Sequence, residues 1–580
     1  MKNKLFLILI AFMLTSCESN EIIINRKTSG EKEDDPATLN NEVEGMVELY
    51  DGLYVSHNPG FYDEEFDLKF KMTDKDYRLL YSFDSSVPEN NSKNTYSKPI
   101  HIEKMKIGNI ENYPLTTSVD GILPLNTNGR CISTDYIYNV QKPENYYLTK
   151  KSTVLTIRLI DKNMNEQLFT RSLSYFVDDD IQNKFTIPVI SLSMPYEDIF
   201  SKKEGFYNKP EQEIEKRANL EYLDPIYDQT FYRNTKIKIG GNWSSGYPQR
   251  TLNLNFNKNQ FGEKNKPVKE KVFGDRKQLG NQENDLTDIT RFRLHNGGNC
   301  FEQWTGLNDA IIQNLMAYTN ASTTASRPCL TYINGEYWGL ETIREHYSDV
   351  YYSDNYGVKK SNVLALQLKG NYLVDEGDEN ECMEEIAKLN EFVDNNDFTD
   401  EEVYNKFVSE YIDEDSFIDV MIAHSFARNW DFVGNYNNLR IWKTNKIDSK
   451  NKYADGKWRF SIHDVDFAFT ESTNFFNKNH ANSYFKYNIF NKLSQNETFK
   501  KHMYQRAKYL LANNLSYDHA VEVIDDLMDQ VGPYRLESYL RWGKDASIMT
   551  SWRESINNVK YIIRLNQNIY LSELYDALYK

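Results

Sequence analysis

Between residues 42 and 180, apolar and polar positions alternate over short runs separated by turn-forming residues. EEFDLKFKM sets Phe66, Leu68 and Phe70 on one face, and RLLYSFD and TVLTIRLID follow the same rule, which predicts a β-sandwich. Val177-Asp178-Asp179-Asp180 reads as a junction, with a second unit over 181–580. There, TKIKIGGNWSSGYPQRTLNLNF predicts a strand, a Gly/Ser loop and a returning strand with Leu252, Leu254 and Phe256 on one face. CLTYINGEYWGLETI predicts a hairpin, because Asn334-Gly335 suits a type I′ turn. RFRLHNGGNCFEQWTGLNDAIIQNL runs from a strand through a glycine turn into a helix with Leu307, Ile311 and Leu315 facing the core. YLVDEGDENECMEE reads as an acidic surface loop entering a helix, and from Phe475 onward helical spacing prevails, with Trp542 and Trp552 packing as a cap. The expected class is α+β: an N-terminal β-sandwich, then a mixed unit.

The most informative stretch is Ser416 to Phe469. Phe417, Val420, Met421 and His424 recur at helical spacing, with Asp415 or Ser416 as N-cap. A polar turn holding Asp431 follows, then the strand LRIWK after Asn437-Asn438, and then WRFSIH with Trp458, Phe460 and Ile462 alternating. An antiparallel pairing of these strands makes Asn438 and Asp464 neighbours, with Asp431 just upstream. Asp431, Asn438, Asp464 and Asp466 are all oxygen donors, the set preferred by a hard cation such as Mg²⁺ that is shared with phosphates. Polar turns rich in Asn and Asp also arise for backbone reasons alone. The tip formed by Gly240, Gly241, Ser244, Ser245 and Gly246 reads either as an ordinary hairpin loop or as a cradle whose backbone N–H groups face phosphate.

The 580 residues exceed what one core accommodates. A net charge of −17 argues against a general nucleic-acid binder, which needs a basic footprint. Lys2 and Lys4, the apolar run Leu5 to Leu14 and small residues before Cys17 form a secretory signal too short to span a bilayer. Leu14-Thr15-Ser16-Cys17 resembles a bacterial lipobox. This implies a signal peptide over 1–17, a lipidated Cys17, a flexible polar tether over 18–41, and an exported, membrane-anchored lipoprotein at the outer membrane or cell surface. The remaining Cys131, Cys300, Cys329 and Cys382 form no CxxC pair and allow three pairings; buried free thiols, or at most one bridge, are expected.

Two resemblances add to this reading. Tyr81-Ser82-Phe83-Asp84-Ser85-Ser86-Val87-Pro88 and the strands around it resemble a fibronectin-type-III-like, chitobiase-C-terminal-like sandwich, usually a spacer or docking module and sometimes a glycan binder. IPVISLSMPYEDIF, GGNWSSGYPQRTLNLNF, FRLHNGGN, RPCLTYINGEYWGLETIREHY, NWDFVGNYNNLRIWK and FSIHDVDFAF, in this order, resemble the CotH kinase family. That resemblance implies an atypical protein-kinase-like fold with a β-rich nucleotide lobe and a helical lobe, using ATP with Mg²⁺ or Mn²⁺. It implies Asp431 as the residue that orients or deprotonates the acceptor hydroxyl. Asp464 and Asn438 fall on the metal, with Asp466 assisting and Asn435 and Asn437 as rivals to Asn438. Gly240, Gly241, Ser244, Ser245, Gly246, Arg250 and Glu345 fall at the nucleotide. The sequence departs from the family where His295 replaces a frequent Arg, Cys300 a frequent Asp, and Arg250 a frequent Lys. The implied activity is phosphorylation of Ser/Thr on exported proteins; the alternative is an inactive surface protein that docks proteins or glycans.

Overall fold

Alternating apolar positions over the first unit condense into small sheets. In the computed structural model, which describes residues 43–107 and 150–580 apart from 202–203, 210–211, 242, 248, 258–266, 299–304, 370, 435–437, 470–475, 477–488, 543 and 545, a four-stranded sheet joins Gly60–Tyr62, Gln167–Val177, Thr153–Asp161 and Tyr77–Ser82. It packs with two smaller sheets over a core of Leu53, Val55, Leu68, Leu79, Ile157, Leu173 and Tyr175. The signal peptide, Cys17, the tether, Cys131, Cys300, Asn435 and Asn437 lie outside the described residues.

Seven strands of the second unit close on themselves. They are β1 (Val189–Ser193), β2 (Lys216–Asp224), β3 (Gln229–Ile239), β4 (Leu252–Asn255), β5 (Arg291–His295), β6 (Ser326–Ile333) and β7 (Glu336–Arg344). The order is β5-β4-β3-β2-β1-β6-β7, and β7 returns to β5 with Arg344 opposite Arg293. Leu252, Leu254, Phe292, Leu294 and Ile343 fill the interior. Because side chains alternate across a strand, the opposite face carries one transverse row: Lys238 opposite Asn253, Asn253 opposite Arg293, and Arg293 opposite Arg344. The β6–β7 turn is as predicted: Asn334 (φ 49°) and Gly335 (φ 80°) are both left-handed.

The sandwich is fastened to this barrel. Lys151 pairs with Glu336 of β7, Ser152 donates its backbone N–H to Gly335 O at 2.8 Å, and Arg171 reaches Glu221 of β2 at 3.3 Å. The ring of Phe176, at the end of the last sandwich strand, meets Tyr332 edge-on at 4.9 Å.

A second antiparallel sheet has the order β9 (Asn371–Glu376), β8 (Val363–Lys369), β10 (Leu439–Thr444), β11 (Arg459–Ile462). Helices α1 (Asn308–Leu315), α2 (Glu379–Asn395), α3 (Glu414–Phe426), α4 (Trp430–Gly434), α5 (Glu497–Ala512), α6 (Tyr517–Arg541) and α7 (Ile548–Tyr579) share its core. Together these elements give the α+β class expected from the sequence, with a sheet-rich first part and a helical last part.

Several local expectations are corrected. The start of the acidic stretch is strand β9, not loop, because pairing with β8 overrides its polar composition. The N-cap of α3 is Asp413, whose carboxylate accepts from Ser416 N at 2.9 Å, upstream of the expected Asp415 or Ser416. Helix α1 buries Asn308, Asp309 and Gln313 as well as its apolar face. Trp542 does not cap the surface: it enters the barrel interior, edge-on to Trp338 at 5.3 Å. Cys329 and Cys382 are buried free thiols. Among the described residues, no helix is long and apolar enough to cross a membrane.

Candidate functional site

Pairing of β10 with β11 sets Leu439 opposite Ile462, so the residues just before and just after the hairpin converge. Asn438 (φ 65°) and Asp464 (φ 52°) both take the left-handed conformation, which Asn and Asp tolerate better than other side chains. Asn438 is buried and donates its amide to Asp431 Oδ2 at 2.6 Å. Asp431 sits on the single turn of α4 rather than in an open polar turn, and is 9% exposed. Asp464 lies within electrostatic reach of Asp431 and of the buried Asp466. Burial first, then those two carboxylates, push the Asp464 carboxyl up to about 8, against the pull of Arg344 and Arg293. Sequence reasoning therefore named a group of four side chains that the fold does assemble.

The turn carrying Asp464 and Asp466 is held from outside by α1. Asn308 donates to Asp466 O at 3.1 Å and to Ala468 O at 2.6 Å. Asp309 Oδ1 accepts from Val465 N at 3.0 Å. Gly298 (φ 59°) lies so close to the Asp466 carboxylate that any Cβ there would overlap it. Across from the acids stand guanidinium groups that sequence reasoning did not single out. Arg344 pairs with Asp309, and Arg440 with Asp375. Arg293 is driven down to about 9 by burial and by Arg440 and Arg344, with Asp375 and Asp464 opposing. His295, His346 and His463 are held well below their ordinary range by burial, with nearby guanidiniums adding, which leaves them neutral. The Nε–H donors of Arg293, Arg344 and Arg440 are buried without an acceptor among the described residues. The available signal was the alternation in RFRLH, which puts Arg293 and His295 on one strand face. What could not be read was that the barrel closes there and brings Arg344 alongside.

Oxygen donors beside a bank of guanidiniums suit a metal–phosphate ligand. The model of the CotH kinase protein family matches residues 237–570. The chain belongs to the CotH kinase family. No curated protein matches it. The CotH match runs from β3 into α7, and so covers the barrel row, the β10–β11 hairpin and the turn at Asp464.

The other residues expected at the site make contacts within the fold. The Gly240–Gly246 segment does follow β3, but it is not an open tip. Trp243–Gly246 forms a 3-10 turn, Ser245 and Gly246 are buried, Ser244 is half-buried, and Gly241 is exposed. Gly240 donates its N–H to Thr251 O at 2.8 Å and abuts the Asn253 side chain. Arg250 is 1% exposed; its guanidinium donates to the main-chain oxygens of Tyr207 and Tyr247 and lies over the Tyr207 ring. These contacts make it a pin inside the barrel end. Glu345 is likewise buried, accepting from Ala325 N at 2.7 Å and Asn355 Nδ2 at 2.8 Å, and burial raises its carboxyl to about 7. It fastens the end of β7 to the helix Asp349–Tyr356, with Arg276 within electrostatic reach.

Among the described residues, no three His, Cys, Asp or Glu side chains form a ready-made metal cage. Mg²⁺ is commonly held by one or two carboxylates, with substrate phosphates and water completing its shell. The mutually repelling carboxylates of Asp464, Asp466 and Asp431, with the amide oxygen of Asn438, supply donors of that kind.

Proposed function

We propose that this CotH-family chain is a metal-dependent protein kinase that transfers the ATP γ-phosphate to Ser/Thr hydroxyls of exported or surface proteins. The observation that carries the reading is that Asp464, Asp466 and Asp431 gather within electrostatic reach of Arg344 and Arg293. Phosphoryl transfer needs little covalent help from protein; positioning and charge neutralisation supply most of the acceleration. Asp431, oriented by the amide of Asn438, orients the acceptor hydroxyl and takes its proton as the oxygen attacks the γ-phosphorus. The bond from that phosphorus to the β–γ bridging oxygen breaks, and ADP leaves. Arg344 and Arg293 neutralise phosphate charge on the barrel side. Asp464, Asn438 and Asp466 would hold Mg²⁺ or Mn²⁺, which when bound neutralises phosphate oxygens and fixes their orientation.

The N-terminal lipobox supports an exported, lipid-anchored enzyme, and the fastened sandwich supports a body in which that module holds a fixed attitude to the barrel. A catalytically silent docking role is the second reading, favoured by one observation: Arg250 and Glu345, two expected nucleotide residues, are enclosed in structural contacts. Incubation with γ-labelled ATP, Mg²⁺ or Mn²⁺ and a surface-protein extract separates the two. Metal-dependent label on Ser/Thr that disappears in Asp431→Asn supports the kinase. Equal labelling by the variant, or none by the wild type, rejects it.

A further inference from the structure

Asp309 divides its carboxylate between the two halves of the site. Oδ1 accepts from the backbone N–H of Val465, the residue between Asp464 and Asp466, at 3.0 Å. Oδ2 is paired with the guanidinium of Arg344, at the end of the barrel row that continues through Arg293. The carboxylate is buried, and its neighbour Asn308 holds the same turn through the carbonyl oxygens of Asp466 and Ala468. Two adjacent residues at the start of α1 thus fix the acidic turn through one N–H and two carbonyls, and one of them also fixes a cation opposite it.

Of these two residues, Asp309 reaches both sides. A buried carboxylate that accepts a backbone N–H through one oxygen and forms an ion pair through the other ties both partners to a single side chain. We infer that Asp309 is a positioning residue that couples the phosphate-facing Arg344 to the metal-facing turn, so that metal and nucleotide bind as one unit. The inference rests on the metal–nucleotide reading of the site. It does not require Asp309 to touch either ligand.

The test compares Asp309→Asn with Asp309→Ala in the full soluble chain by calorimetric titration with ADP, once in EDTA and once in excess Mg²⁺. Thermal melting without ligand is recorded as the folding control. The asparagine retains an oxygen for Val465 N–H but cannot balance Arg344; the alanine loses both contacts. The account expects Asp309→Asn to weaken ADP binding in EDTA and to lose part of the enhancement by Mg²⁺. It expects Asp309→Ala to lose that enhancement as well, with overall weakening of about tenfold or more, the usual size for removing a group that orients metal ligands. A purely structural role gives equal losses in both titrations and a lower melting temperature, and overturns the inference. Wild-type affinity and enhancement in both variants also overturn it, leaving the nucleotide site intact. If Asp309→Ala does not fold, Asp309→Asn alone decides: unchanged binding in EDTA rejects the coupling. Absence of ADP binding by the wild-type chain would reject the nucleotide reading itself, and this inference with it.

Discussion

Replacing Asp464 by Asn should stabilise the ligand-free protein while abolishing its metal-dependent ligand binding. The wild-type carboxyl is pushed up to about 8, first by burial and then by Asp466 and Asp431. A carboxyl raised in the folded state binds its proton more tightly there than in the unfolded chain. Folding therefore loses stability as pH rises from the ordinary carboxylate value of about 4 towards about 8. Fully realised at neutral pH, that difference amounts to about 4 kcal/mol at about 1.4 kcal/mol per tenfold change. Asp464 retains some solvent exposure, and screening reduces the expected effect to about 1–2 kcal/mol. With an unfolding entropy of about 2 cal/mol/K per residue over a cooperative unit of roughly 400 residues, the melting temperature should rise by about 1–2 °C. The assay is thermal melting of wild type and Asp464→Asn at about pH 4 and at about pH 7.5, with and without Mg²⁺–ADP. The gain should be present at the higher pH, vanish at the lower one, and be accompanied by loss of the ligand-induced shift. A variant less stable than wild type at both pH values, or one that keeps the ligand shift, would refute the reasoning.

Metal-supported nucleotide binding should tighten as pH rises towards about 8 and release a proton, because Asp464 must ionise to serve as a ligand; calorimetry in buffers of different ionisation enthalpy measures this. Gly298→Ala should weaken Mg²⁺-dependent binding by about tenfold or more, since the new Cβ collides with the Asp466 carboxylate; a titration with unchanged affinity would contradict that. Arg344→Ala should weaken ADP binding even in EDTA, whereas Arg250→Lys should chiefly lower stability, read by titration and melting respectively. Trp542→Ala should destabilise the barrel by about 3–5 kcal/mol through the cavity left against Trp338, measured by denaturant unfolding.

Much of this site is local in sequence and was legible there. Asn438 to Ile462 form one hairpin, so spacing alone predicted that Asn438, Asp464 and Asp431 would meet, and Asn334-Gly335 named its own turn. The cationic side was not legible, because it depends on barrel closure between β5 and β7, strands separated by α1 and β6. Asp309 was hidden for the same reason: its partners are Arg344 and Val465, distant in sequence, and nothing in GLNDAIIQNL distinguishes a clamp from a first-turn acidic residue. The burial of Arg250 and Glu345 was not legible, because a charged residue at a strand end reads as exposed, whereas Tyr207, Ala325 and Asn355 enclose them. Strand β9 escaped because its acidic residues obscured a pairing supplied by β8 and, through Asp375, by Arg440.

The central claim is that Asp464 and its neighbours bind a metal–nucleotide complex. Calorimetric titration of the soluble chain with ATP and Mg²⁺, beside Asp464→Ala, tests it most directly. The account predicts binding that requires the metal and disappears in the variant, while the variant's fold is retained. Equal binding by both proteins, or none by a well-folded wild type with either Mg²⁺ or Mn²⁺, would contradict it.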